Sequence, residues 1–379
     1  MQKVIRFGVI GCGLMGREFA SAAARWCHLT QIQARPEIVA VCDKNPAAAA
    51  WFRDNFPSVQ QVTDDYRALL ANPEVDAVYV AVPHNLHQQI YIDILNAGKH
   101  MLGEKPFGID RDANEAILAA VAAHPELIVR CSSEFPYYPA CRQLIKWIEE
   151  GRFGKIIEVR SAFRHSSDMD PTKPINWKRR IATNGEYGCL GDLGIHAQHV
   201  AFRAGWKPEK VYAQLTNLIT QRPGPDGSMV PCDTWDNAMV LSTVRDKDGH
   251  EFPWLMETKR MSPGSTNEWF VEVYGMECSA KFNTSDPGAF WYTQAWGKEQ
   301  AWCRINVGFK TLFPTITGGI FEFGFTDAIL QMWAAFVSEV AGEKVEYSCF
   351  TPEETRLSHE MLTACLISQK EGRAVTLPG

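Results

Sequence analysis

Residues 4–16 read VIRFGVIGCGLMG and run directly into a helix-forming stretch, REFASAAARW. No other feature narrows the fold as much. A β-branched strand that breaks on Gly11-Cys12-Gly13-Leu14-Met15-Gly16 and re-forms as a helix predicts the opening β-α unit of a parallel sheet. Each glycine has a separate duty in that turn: Gly11 permits the tight bend, Gly13 lets backbone approach a pyrophosphate, and Gly16 lets the helix pack closely on the strand. The helix N-terminus, with Leu14 and Met15 in its first turn, then faces the phosphates. A second strand, 37–42, ends at Asp43, where a carboxylate holds both ribose hydroxyls of an adenosine. That favours NAD over NADP; Lys44 beside it offers the alternative of a 2′-phosphate contact.

Strand and helix patterns alternate through the next hundred residues: YRALLAN, VDAVYVAVP, HQQIYIDILNAG, HMLGEKP, RDANEAILAAVAA and LIVRCSS. The alternation predicts a doubly wound parallel sheet, whose ligands bind beyond the carboxyl ends of the strands. Ala81, Pro83, His84, His87, Glu104 and Lys105 all emerge at that edge. Lys105 is the most telling, because the strands around it are apolar, buried-type runs. Beside a bound nicotinamide it can polarise a substrate hydroxyl or carbonyl oxygen. A cis Lys105-Pro106 bond would make the turn tighter still.

The chain has 379 residues, 46% hydrophobic and 22% charged, with a net charge of −6, which predicts an ordinary globular protein of two domains and argues against nucleic acid or anionic lipid as a partner. Eleven cysteines without a CxxC pair, and an opening without a signal-peptide pattern, predict a reduced, cytoplasmic protein. No apolar run approaches the roughly 20 residues that a membrane helix needs.

The stretch AVPHNLHQQIYIDILNAGKHMLGEKP, 81–106, together with the glycine turn, resembles the glucose-fructose oxidoreductase, inositol dehydrogenase and MocA family (Gfo/Idh/MocA) over the whole chain. The resemblance implies an N-terminal Rossmann domain, 1–133, that binds NAD. It implies a C-terminal domain, 134–379, for substrate binding and oligomerisation. Lys105 is then the substrate-polarising lysine, Glu104 a cofactor-side neighbour and His87 a residue near the nicotinamide ribose, against its alternative as a capping or core histidine.

After Ser133 the pattern changes to consecutive strands with few helices, which predicts a large, mostly antiparallel sheet covered by helices on one face. Apolar residues on both strand faces, as in Trp254-Leu255-Met256, call for cover by a second copy, so a homodimer or homotetramer is expected. Asp192 and His196, four apart in LGDLGIHAQHVAFRAG, share a face if the segment is helical. Histidine is the natural proton acceptor for an alcohol near neutral pH, and a carboxylate can fix its tautomer. The pair also resembles the family's D-x-x-x-H element, which implies a catalytic group of Lys105 (polarising), Asp192 (orienting substrate) and His196 (general base), with no metal. His199 stands where the family often has an acid, a departure that bears on substrate identity. Trp177 and Lys178 resemble a pair that covers the cofactor, while Arg164, His165 and Tyr137 are expected at the sugar.

These readings converge on an NAD-dependent oxidoreductase for a sugar, sugar derivative or polyol. Two alternatives stay open: an NAD-dependent glycosidase that oxidises, eliminates and re-reduces an acidic glycoside such as a sulfoquinovoside, and a non-catalytic nucleotide and sugar sensor. Arg164 is the argument for an anionic substrate.

Overall fold

The computed structural model describes residues 2–307 and 310–378. The chain divides into two compact units, Met1–Gly108 with Asp112–Tyr137 and Thr311–Glu353, and Ile109–Arg111 with Tyr138–Lys310 and Glu354–Gly379.

In the first unit, β1 (Lys3–Ile10), β2 (Ala34–Cys42), β3 (Gln61–Thr63), β4 (Ala77–Val80), β5 (His100–Gly103) and β6 (Val129–Cys131) form one sheet in the order β3-β2-β1-β4-β5-β6. Every pairing is parallel. Helices α1 (Leu14–Ala24), α2 (Pro46–Asn55), α3 (Tyr66–Leu70), α4 (His87–Asn96) and α5 (Arg111–Ala123) follow the first five strands in turn. Strand β4 is buried at all four positions, as a sheet covered on both faces requires. The order reverses between β1 and β4, which places the glycine turn and Ala81 at the topological switch point.

The second unit begins with α6 (Pro139–Glu149), β7 (Ile156–His165), α7 (Ile181–Asn184) and α8 (Cys189–Arg203). The remaining strands are β8 (Lys207–Thr216), β9 (Gln221–Pro223), β10 (Met229–Pro231), β11 (Asn237–Arg245), β12 (Glu251–Lys259), β13 (Asn267–Gly275), β14 (Cys278–Asn283), β15 (Ala289–Gln294), β16 (Cys303–Asn306) and β17 (Val375–Thr376). Nine of them form a sheet in the order β16-β15-β14-β13-β7-β12-β11-β8-β17, while β9 and β10 make a separate hairpin. One pairing, β7 with β12, is parallel and the rest are antiparallel. Burial alternates along each central strand. Trp254 and Met256 have no accessible surface, while Leu255 between them is 39% exposed. Helix α8 packs on the buried face, against β7, β11, β12 and β13. On the other face Tyr212, Met239, Leu241 and Leu255 are exposed.

The division departs from a single boundary after residue 133. Helix α9 (Phe325–Val340), expected in the second domain, belongs to the first unit. Its Trp333 is buried against Phe19 (ring centroids 3.9 Å apart), Tyr79 (4.7 Å) and Phe7 (5.9 Å). A helix buried nearly all round contacts whatever apolar surface lies nearest in space, which sequence order does not reveal. Helix α10 (Pro352–Glu371) returns to the second unit, where Arg203 pairs with Glu354 at 2.7 Å.

Candidate active site

The glycine turn is built for a ligand backbone. Gly11 has φ +95°, and a Cβ there would lie 2.2 Å from the Ala81 carbonyl oxygen. At Gly16 a Cβ would lie 2.2 Å from the Gly11 carbonyl oxygen. Both glycines are therefore required by protein packing. Gly13 differs: a Cβ there would meet no protein atom within 4 Å, so its freedom is reserved for something outside the fold. Leu14, the first residue of α1, is 78% exposed, Met15 is half-buried, and no side chain caps the helix. Asp43 closes the loop from the end of β2, its carboxylate accepting the Cys12 N–H at 2.7 Å and the Asn45 N–H at 2.7 Å. Lys44 is exposed, with its ammonium 4.0 Å from Asp64. Uncapped N–H groups, an open glycine and a fixed carboxylate at the next strand's end together fit a dinucleotide.

On the neighbouring strands, Ala81 donates its N–H to Ile10 at 2.8 Å, and Pro83 precedes a 3₁₀ turn at His84–Leu86. His84 and His87 are both buried. His87 Nε2 lies 3.0 Å from the Val82 carbonyl, and its ring stacks on Tyr91 at 4.8 Å. With no accessible surface, His87 is a core histidine that holds the 81–83 loop from behind, a correction to its expected contact with the cofactor.

Lys105 is half-buried and its bond to Pro106 is cis. Glu104 just before it is fixed from three sides. Its N–H donates to Val80 at 3.0 Å, the Tyr79 hydroxyl donates to its carboxylate at 2.8 Å, and the Tyr91 hydroxyl donates to its carbonyl at 2.7 Å. Glu104 is thus part of the support for Lys105. Sequence reasoning passed over Glu134, beyond the end of β6, because a carboxylate after a strand reads as a loop residue. Here it is buried, and desolvation together with the Glu104 charge pushes its pKa up to about 8. Tyr137, expected at the substrate, is enclosed instead: its ring meets Tyr347 edge-on at 5.7 Å, and its hydroxyl lies 3.5 Å from Cys349 Sγ.

In the second unit the segment after Gly188 is helical. Gly188 has φ +57°, and a Cβ there would lie 2.6 Å from the Trp235 nitrogen, so only glycine lets the helix start at this point. Asp192 and His196 stand one turn apart on α8, both buried. The His196 carbonyl accepts the Trp269 indole N–H at 2.9 Å, and its ring meets Phe163 edge-on at 5.3 Å. His199 is buried beside Arg203 at 3.3 Å; burial first, then the positive charge of Arg203, holds its pKa well below the usual range and keeps it neutral.

Asp192 carries more partners than the sequence revealed. Lys178 Nζ lies 3.1 and 3.2 Å from its two oxygens, and Arg260 contacts it as well. Arg260 continues to Asp168 at 3.7 Å, Arg179 bonds Asp168 at 2.7 Å and also Asp236, and Arg222 donates to the Asp168 carbonyl at 2.6 Å. Burial alone would raise the Asp168 pKa, but Arg179, Arg260, Lys173 and Arg222 outweigh it and hold the group below the usual carboxylate range. Lys178, expected over the cofactor with Trp177, is thus directed to Asp192 instead, with its ammonium 5.5 Å from the Trp177 ring.

Strand alternation separates the two remaining candidates. His165 shares the α8 side of β7 with Phe163, at 4.4 Å between rings, and its Nδ1 lies 3.2 Å from the Thr266 carbonyl. Arg164 points to the opposite face, where it pairs with Glu257 at 3.0 Å and Glu268 at 3.5 Å. This corrects its expected role at the sugar, since adjacent strand residues face opposite sides. Among the described residues, no group of three or more His, Cys, Asp or Glu is arranged to hold a metal ion, and no helix is long and apolar enough to cross a membrane.

The glycine turn at the switch point of a parallel sheet fits a dinucleotide-binding domain, and the second unit carries a histidine and a carboxylate one turn apart on a helix. The chain belongs to the GFO/IDH/MocA family: residues 5–130 match its oxidoreductase, NAD-binding Rossmann fold model, and residues 141–280 match its C-terminal domain. Levoglucosan dehydrogenase of Pseudarthrobacter phenanthrenivorans is 28% identical, over 74% of this chain and 73% of its own. Inositol 2-dehydrogenase of Rhizobium meliloti is 29% identical, over 72% of this chain and 73% of its own. A solved structure of levoglucosan dehydrogenase with NADH and L-sorbose matches with a TM-score of 0.87 and 25% identity, covering 100% of both chains.

Proposed function

We propose that the protein is a dehydrogenase that interconverts a hydroxyl and a carbonyl on a sugar, sugar derivative or polyol. The observation that carries this reading is the α8 pair, Asp192 in contact with two cations and His196 one turn beyond it. Bound NAD supplies the hydride acceptor. His196 takes the hydroxyl proton as general base. Lys105, whose preceding residue is fixed by Tyr79 and Tyr91, stabilises the charge that develops on the substrate oxygen. Asp192 orients the substrate from within its cation pair. These roles follow the resemblance residue by residue, and the names of the relatives supply the substrate class.

The test is absorbance at the nicotinamide band during incubation with NAD and levoglucosan, myo-inositol, D-glucose and an aryl glucoside, with aglycone release followed in parallel. NADH formed in proportion to a free sugar or polyol supports the reading. Aglycone released without net NADH replaces it with a glycosidase.

The exposed residues Tyr212, Met239, Leu241 and Leu255 support cover of this sheet face by a second copy of the chain. Light scattering that reports a monomer would remove this proposal. We also propose a cytoplasmic location, which eleven cysteines with no CxxC pair suit.

A further inference from the structure

Lys178 is placed with more care than a solvated lysine needs. Its N–H donates to the Asn176 side chain at 2.9 Å, and its carbonyl accepts the Thr234 hydroxyl at 3.0 Å. The Trp177 carbonyl next to it accepts the Thr183 hydroxyl at 2.5 Å. Backbone held on both sides aims the side chain, and the ammonium meets both oxygens of Asp192.

The two members of this pair differ in access. The Asp192 side chain is 1% exposed and also in contact with Arg260, while Lys178 is 32% exposed. A ligand that reaches this pair meets the ammonium before it meets the carboxylate. The charges of the surrounding group point the same way. Lys173, Lys178, Arg179, Arg222 and Arg260 outnumber Asp168, Asp192 and Asp236 by two, and of the two cations on Asp192 Lys178 is the more exposed, Arg260 being 7% exposed. An ammonium has three donors and no acceptor, so it recognises an oxygen lone pair.

We propose that Lys178 is a substrate-binding residue that donates to a hydroxyl oxygen of the polyol, with Asp192 as its counterion and Arg260 and Asp168 as positioning residues behind it. The proposal rests on the polyol dehydrogenase reading and adds to it a residue so far expected only over the cofactor. Lys178 sets the orientation of the ring or chain through a hydroxyl other than the one that reacts.

The experiment compares wild type, Lys178→Met and Lys178→Arg, using whichever of levoglucosan, myo-inositol and D-glucose gives the fastest NADH formation with wild type. The expected result for Lys178→Met is a KM about 10- to 100-fold higher, with a much smaller loss in kcat and an NAD Kd within about twofold of wild type. Lys178→Arg keeps a donor and recovers part of the KM. Melting curves for both variants establish that the comparison is between folded proteins; Lys178→Gln, which keeps one donor group, replaces Lys178→Met if that variant does not fold. A rise in NAD Kd with KM unchanged would return Lys178 to the cofactor and overturn the proposal. A fall in kcat alone, with KM unchanged, would reduce Lys178 to a support for Asp192 and overturn it equally. Wild type that reduces NAD with none of the three sugars overturns the polyol reading itself, a failure distinct from the other two.

Discussion

The two units bury carboxyl groups near their candidate site residues and neutralise them by opposite means. In the first, Glu134 has a raised pKa from burial and the neighbouring Glu104 charge, and it is predominantly protonated at pH 7. In the second, Asp168, Asp192 and Asp236 are paired with Arg179, Arg260 and Lys178, and Asp168 is held below the usual carboxylate range. A buried acid must either give up its charge or be given a partner. The difference matches the work proposed for each unit. A protonated Glu134 adds no second negative charge to that of Glu104 beside Lys105, whereas the Asp192 carboxylate on α8 offers a hydroxyl substrate a dipole with Lys178.

The most severe way to break this division of labour is to remove its chemical groups. His196→Ala and Lys105→Ala are each expected to lower kcat by about 10³- to 10⁴-fold while NAD affinity, read by fluorescence titration, is retained. Nucleotide binding lost together with activity would place the altered residue with the cofactor.

Next in size is the ionic cluster. Arg179→Met leaves Asp168 and Asp236 buried without their shared cation, at a cost of about 3–5 kcal/mol in urea unfolding. A cost near that of a surface pair, under about 1 kcal/mol, would show that solvent reaches the cluster and that the contrast between the units is overstated.

Glu134 sharpens the comparison through pH. Its pKa in the folded protein is raised above that of the unfolded chain, so the folded state binds the proton more tightly. The associated stability is therefore fully present below about pH 4 and is lost as pH rises through about 8. Glu134→Gln, neutral at every pH, is expected to flatten that decline by about 1–3 kcal/mol between pH 5 and 8, measured by denaturant titration. Parallel slopes for the two proteins would mean that Glu134 is ionised at neutral pH after all.

The smallest expected effect lies at the nucleotide. Asp43→Ala removes the acceptor for Cys12 and the carboxylate proposed for the ribose, and is expected to weaken NAD about tenfold, roughly 1.4 kcal/mol, and NADP less. Equal weakening of both would confine Asp43 to holding the loop.

How much of this was readable in advance varied with the range of the interaction. The glycine turn and the Asp192-His196 spacing were legible because each is a property of a few consecutive residues. Gly11 is required by its own φ of +95° and Gly16 by the Gly11 carbonyl, and a four-residue interval fixes a helix face. Arg164 was misread for a local reason that alternation explains: one position along β7 exchanges the α8 side for the opposite face. Tyr137, Lys178 and Glu134 were misread or missed for a different reason. Their neighbours are Tyr347, Asp192 and Glu104, which lie on other elements of the chain.

By itself, then, the sequence determined the parallel sheet, the glycine turn, the strand-rich second unit and the one-turn spacing of Asp192 and His196 on a helix. Periodicity and turn chemistry act over a few residues and are written directly in the chain. Only the tertiary structure decided that α9 belongs to the first unit, that Asp192 is gripped by Lys178 and Arg260, and that Arg164 faces away from His196. Those outcomes depend on which distant side chains share a buried space, where charge must find a partner and apolar surface must find cover.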